Sequence, residues 1–183
     1  MSSTLPAHPA EATLHADNTR WTLHLNREFP SGQTEVWDAV TRANLLTKWT
    51  PFTPNHDLVA TGEVWLAPTD GGEADIQGSV LEVQALSSLA FLWGTDLLRF
   101  TLTPTQAGTL MTFAHAFDDR NAAASMAAGW HICLGALELL LAGKEVPSVV
   151  GMNAMKYGWE TLQKEYESLF EDQDDALKPM GSL

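Results

Sequence analysis

The chain has 183 residues, 45% of them apolar, and carries 10 Lys and Arg against 23 Asp and Glu, a net charge of −13. That balance argues against a nucleic-acid partner, which needs clustered basic side chains, and against an anionic membrane surface, while leaving a neutral or cationic small ligand open. A single cysteine, Cys133, rules out an intramolecular disulfide and a cysteine-based metal cage. A chain this long suits one domain and buries roughly 70% of the surface its unfolded form exposes. The longest apolar stretch, residues 134–142, is interrupted by Glu138 and falls short of the ~20 residues of a membrane span. The N-terminus has neither a basic start nor an apolar core of a secretory signal, so the cytoplasm is the expected compartment.

Residues 1–18 are rich in Ala, Pro, Thr and Ser without a period and read as a flexible arm. The body of the domain spans residues 19–170. Trp21, Leu23 and Leu25 alternate with Thr22, His24 and Asn26, and Phe29 extends the series past Arg27, giving a half-buried strand. After Pro30-Ser31-Gly32, Val36, Trp37 and Val40 mark a short helix. A second short helix over 43–48 ends before Pro51 and Pro54. Strands follow at 63–67, 76–86, 90–93, 98–103 and 109–117, with Thr69-Asp70-Gly71-Gly72 and residues 104–108 as turns and Gly78 as a place for a bend or bulge. On the last strand Met111, Phe113, His115 and Phe117 share one face.

The period changes at Asn121. Ala127, Trp130, Leu134, Leu137 and Leu141 recur at helical spacing, with Asp118, Asp119 or Asn121 as N-cap candidates, and Gly143 and Pro147 interrupt the helix near 143–150. Helical spacing resumes through Met155, Trp159, Leu162, Tyr166 and Leu169, and 171–183 reads as an acidic flexible tail. Consecutive strands joined by short turns make an antiparallel meander, whose apolar face must be covered. The only long apolar elements available are C-terminal. The expected architecture is therefore α+β, a curved antiparallel sheet of about six strands wrapped, with two short helices, around a C-terminal helix.

Three segments together resemble a known family. They are Arg27-Glu28-Phe29-Pro30 with residues 35–41 and Lys48-Trp49; residues 98–104 with 108–115; and residues 128–134 with Leu140-Leu141-Ala142-Gly143. In order and spacing they are similar to the START-like, or Bet v 1-like (SRPBCC), superfamily, in the branch of the activator of Hsp90 ATPase homologue-1 domain. The resemblance implies the Bet v 1-like helix-grip fold, with a cavity between sheet and helix. It also implies a chaperone partner as one role, with stress response as its setting. In eukaryotic Hsp90 activators this domain follows a separate chaperone-binding domain, which residues 1–18 are too short to hold.

No catalytic constellation is recognisable: there is no G-x-S-x-G, no phosphate-binding glycine loop and no close histidine pair. No cofactor and no metal are expected; His115 and His131 could meet in space, but would need an added carboxylate to hold a cation. Cys133 reads as a small core residue within an apolar helix. His115 is the weak catalytic candidate. On an interior face its neutral form is favoured, and it could bond a ligand's hydroxyl or act as a base, unless backbone or the Trp130 indole satisfies its nitrogens. Seven tryptophans add aromatic lining. Trp65, Trp93, Met111, Phe113, His115, Met126, Trp130 and His131 are the expected ligand-binding residues, an apolar set with few polar groups. Asp96 reads as local hydrogen bonding in a turn. The expected function is binding of a small apolar or aromatic ligand, with a chaperone regulator and a cyclase- or dehydratase-like enzyme using His115 as alternatives; a homodimer stays open.

Overall fold

A computed structural model describes residues 4–72 and 74–177. Among these, eight strands form one antiparallel sheet: β1 Thr13–Asp17, β2 Arg20–Phe29, β3 Phe52–Pro54, β4 Gly62–Pro68, β5 Ile76–Gln84, β6 Ser88–Trp93, β7 Asp96–Pro104 and β8 Thr109–Phe117. Their order is β1-β2-β8-β7-β6-β5-β4-β3. The fold class is the α+β helix-grip expected, with eight strands instead of about six.

The two extra strands are the sheet's edges. β1 falls within residues 1–18, expected to be an arm, and pairs with β2 through a turn at Asn18, whose φ of 54° is a conformation that asparagine tolerates better than most residues. β3 is three residues long and ends at Pro54, a common way to blunt an edge.

Strand parity places the core. On β8 every second residue from Thr109 to Phe117 is buried, and the partners across it, Leu23 and Leu25 on β2 and Leu98 and Phe100 on β7, are buried on the same face. Against this concave face lies α3, Ala123–Leu141, while α1, Gln33–Thr41, and α2, Ala43–Leu46, close one end, with α1 against β7 and α3. Trp49 follows α2 and anchors this corner. It is fully buried, donates its indole N–H to the Ala39 carbonyl at 2.9 Å and meets the Phe100 ring edge-on.

The C-terminal helix differs from a single amphipathic element. The face expected to pack, Ala127, Trp130, Leu134 and Leu137, is buried, but so are Ala128, His131, Ile132, Cys133 and Ala136 on the other sides. A second long helix, α4 Trp159–Leu177, covers that outer surface with Tyr166 and Phe170. Residues 171–177, expected in the acidic tail, continue α4. There Gln173 accepts from the Leu14 amide and donates to the Ala12 carbonyl, satisfying backbone groups along the open side of β1. The segment Arg120–Leu141 is long and apolar enough to cross a membrane, but most of it is buried inside the fold as a core helix.

Gly78 serves close approach instead of a bend. A Cβ there would stand 2.1 Å from the Leu92 carbonyl oxygen on β6, and the register irregularity falls later, between Val80 and Glu82. Gly78→Ala is expected to destabilise the fold by about 2 kcal/mol through forced separation of β5 and β6. Urea unfolding of the two proteins measures it.

Candidate functional site

A cavity of about 650 Å³ opens at the end of the half-barrel where β6 turns into β7. Trp93, Thr95 and Asp96 come from that turn and His115 from β8. Met126, Gly129, Trp130 and Cys133 come from α3, and Val149, Val150, Ala154 and Trp159 from the connection to α4. The space lies against Gly129 of α3: a Cβ there would meet nothing within 4 Å. A mid-helix glycine costs ~1 kcal/mol relative to alanine, and here its missing side chain leaves room beside the indoles.

His115 stands at the inner wall, 1% exposed, between Leu23 and Leu98 on the neighbouring strands. The Trp130 indole donates to its Nδ1 at 3.0 Å, and its Nε2 lies 2.7 Å from Asp96 Oδ2. An indole N–H can only donate, so Nδ1 carries a lone pair and the ring proton sits on Nε2, directed at the carboxylate. Asp96 is in turn 3.9 Å from Arg20, which bonds Asp118 at 2.8 Å and the Thr95 carbonyl at 2.9 Å. The result is a continuous polar line, Trp130–His115–Asp96–Arg20, set into apolar walls.

Of the residues expected to bind ligand, Trp93, His115, Met126 and Trp130 line this cavity. Met111 and Phe113 point inward as parity requires but are packed solid: Phe113 lies 4.5 Å from the Trp130 ring and 5.0 Å from Phe100, centroid to centroid. Trp65 is elsewhere. Val64 and Leu66 take the inward positions on β4, leaving Trp65 40% exposed, with its indole bonded to Glu63.

His131 is also elsewhere, on the outer side of α3 beneath α4, where its Nδ1 meets the Tyr166 hydroxyl at 2.8 Å. It belongs to a second buried polar group in which Arg27 Nη1 lies 3.5 Å from Glu138 and His8 bonds Glu138 at 2.7 Å. Burial, with the positive charge of Arg27 nearby, pushes the His131 pKa down to about 4, and burial pushes the Tyr166 phenol up to about 12. The pair is thus a neutral imidazole hydrogen-bonded to a neutral phenol. His115 and His131 serve different clusters, and among the described residues no three His, Cys, Asp or Glu side chains converge on a metal position. Burial likewise raises the Cys133 thiol to about 12, so it meets the cavity as a weakly polar apolar group.

Asp96 is the site residue that reading by motif missed. Its signal was available: Leu98, Phe100 and Leu102 face inward, and one step back along that alternation places Asp96 on the same face.

A family model described as activator of Hsp90 ATPase homolog 1-like protein matches residues 32–142, more than half of the chain. The chain belongs to this family. Its fold is shared with a conserved protein of unknown function from Enterococcus faecalis at a TM-score of 0.67 and 17% identity, covering 87% of this chain and 90% of that one. CalU16 from Micromonospora echinospora aligns at a TM-score of 0.65 and 17% identity, covering 87% of this chain and 96% of its own. The AHSA1-like protein from Aeromonas hydrophila aligns at a TM-score of 0.54 and 19% identity, covering 71% and 99%. These likenesses establish the AHSA1-like, START-like fold alone. No curated protein matches. The family segment carries α1 to α3 and every cavity residue between 51 and 133, whereas Val149, Trp159 and all of α4 lie beyond it.

His131 generates a pH dependence for this AHSA1-like protein. Its folded value of about 4 lies below the ordinary 6.5, so between these the unfolded chain binds more protons. Its contribution is fully present above pH 6.5 and is lost as pH falls toward 4. The loss amounts to about 3 kcal/mol across that window. Urea titrations at pH 7 and pH 4.5 should show it, and His131→Asn should shrink the difference between them.

Proposed function

We propose that this protein binds a small apolar or aromatic molecule in the cavity between the curved sheet and α3, with the ligand's polar group turned toward His115 and Asp96. The observation that carries this reading is the open space facing Gly129, bounded by Trp93, Met126, Trp130 and Trp159. A volume of about 650 Å³ lies within the usual range for small-molecule sites, and a mainly apolar wall with a few convergent polar groups matches their chemistry.

A cyclase- or dehydratase-like role for His115 is the first alternative. Asp96 supplies the second polar group such chemistry needs. However, Nδ1 is occupied by Trp130 and Nε2 by Asp96, so neither nitrogen is free to receive a substrate proton. Binding without turnover is better supported. A chaperone-regulating role, suggested by the family description, is the second alternative.

Native mass spectrometry of the freshly purified protein, followed by organic extraction, is expected to reveal a stoichiometric apolar adduct. Gly129→Leu should keep or raise the melting temperature, since leucine is the better helix former, while lowering affinity for the extracted molecule by about tenfold or more. Unchanged affinity would remove the cavity from consideration. Stimulation of a purified Hsp90 homologue's ATPase, undiminished by Gly129→Leu, would favour the protein-binding role.

A further inference from the structure

We propose that the ligand is an organic cation, an apolar or aromatic body carrying a protonated amine or a quaternary ammonium; this rests on the cavity reading above and specifies its substrate class. Charge is the first ground. Among the described residues, Asp96 is the only carboxylate that lines the cavity, and no lysine or arginine lines it. Its Oδ2 is engaged by His115 at 2.7 Å, but Oδ1 is 3.9 Å from Arg20, beyond hydrogen-bond reach, and keeps lone pairs for an incoming N–H. Arg20 is held closer to Asp118, at 2.8 Å, so Arg20, Asp96 and Asp118 together carry a net negative charge.

Aromatic chemistry is the second ground. Three indoles, from Trp93, Trp130 and Trp159, line the same space, and a cation near the face of an indole is attracted by the ring's quadrupole, most strongly where water is excluded. A third ground lies beside Gly151. A Cβ on Gly151, one of the lining residues, would stand 2.9 Å from Asp70 Oδ2, which places a second carboxylate beside the cavity wall. Asp96 in the lining and Asp70 beside Gly151 repel an anion and favour a cation. The net charge of −13 extends that preference into the surrounding field and speeds cation encounter.

Isothermal titration calorimetry with three probes of one shape tests this. Naphthylmethylamine, naphthylmethanol and naphthoate present a cation, a neutral hydroxyl and an anion on the same aromatic body at pH 7. The ammonium is expected to bind about tenfold or more tighter than the alcohol, and the carboxylate most weakly. Asp96→Asn should abolish the preference, so that ammonium and alcohol bind that variant alike, and continued binding of the alcohol there reports an intact cavity. Arg20→Gln, which removes the competing cation, should strengthen ammonium binding further. If wild-type protein binds the alcohol as tightly as the ammonium, the inference is overturned and the cavity reading stands. If none of the three binds, both fall together.

Discussion

The structure depends on burying a helix that is apolar on all sides. Such a helix has no solvent face of its own and needs cover around its whole circumference. In α3 the curved sheet supplies half of that cover, receiving Ala127, Trp130, Leu134 and Leu137 on the concave face. The other half comes from α4 through Tyr166 and Phe170 and from the N-terminal segment, where a Cβ on Gly135 would stand 3.5 Å from the Leu5 side chain. The order of layers, sheet then α3 then α4, follows from this requirement.

Polar groups trapped between these layers must find partners, because an unpaired buried donor or acceptor costs about 1–3 kcal/mol. On the sheet side, Trp130, His115, Asp96 and Arg20 form one chain that ends in solvent-exposed Asp118. On the α4 side, His131 pairs with Tyr166, and Glu138 gathers His8 and Arg27. Arg27 is the costly member. It occupies an inward position on β2, its guanidinium is held below its ordinary pKa by burial, and among the described residues its Nη1 has only the 3.5 Å approach to Glu138. The two chains lie on opposite sides of α3, and only the first borders the large cavity. The position of that cavity follows from packing. Stacked and tilted rings of Phe91, Phe100, Phe113 and Trp130 fill the middle of the half-barrel, and the large cavity lies past His115, beside Gly129.

Much of the fold was legible because period two and period 3.6 are properties of local backbone geometry. Alternation on β2, β7 and β8 assigned inward faces correctly, and the breakers Pro30, Pro51 and Gly143 marked real ends. The same rule, applied consistently, would have turned Trp65 outward, since Val64 and Leu66 claim the inward positions; its size and apolarity misled. It would also have carried Asp96 into the cavity, where its charge made a turn residue look sufficient. The edge strands were less legible. β3 has too few residues to show a period, and the alternation of β1 is obscured because four of its five residues are exposed.

By itself, then, the sequence determined the six central strands, most of their inward faces, the meander and the family to which the chain belongs, because all of these rest on local spacing and short-range sterics. Tertiary structure decided the rest. Met111 and Phe113 became solid core while Trp93 and Trp130 kept an open side, a matter of which rings meet across the sheet. His131 was assigned to α4 instead of the cavity because a helix buried on every face has no periodic signal saying which layer covers which side. His115 acquired a carboxylate partner 19 residues away because β7 and β8 bring Leu98 opposite it and Asp96 one step beyond. Contacts of that kind depend on register between distant segments, which no local pattern encodes.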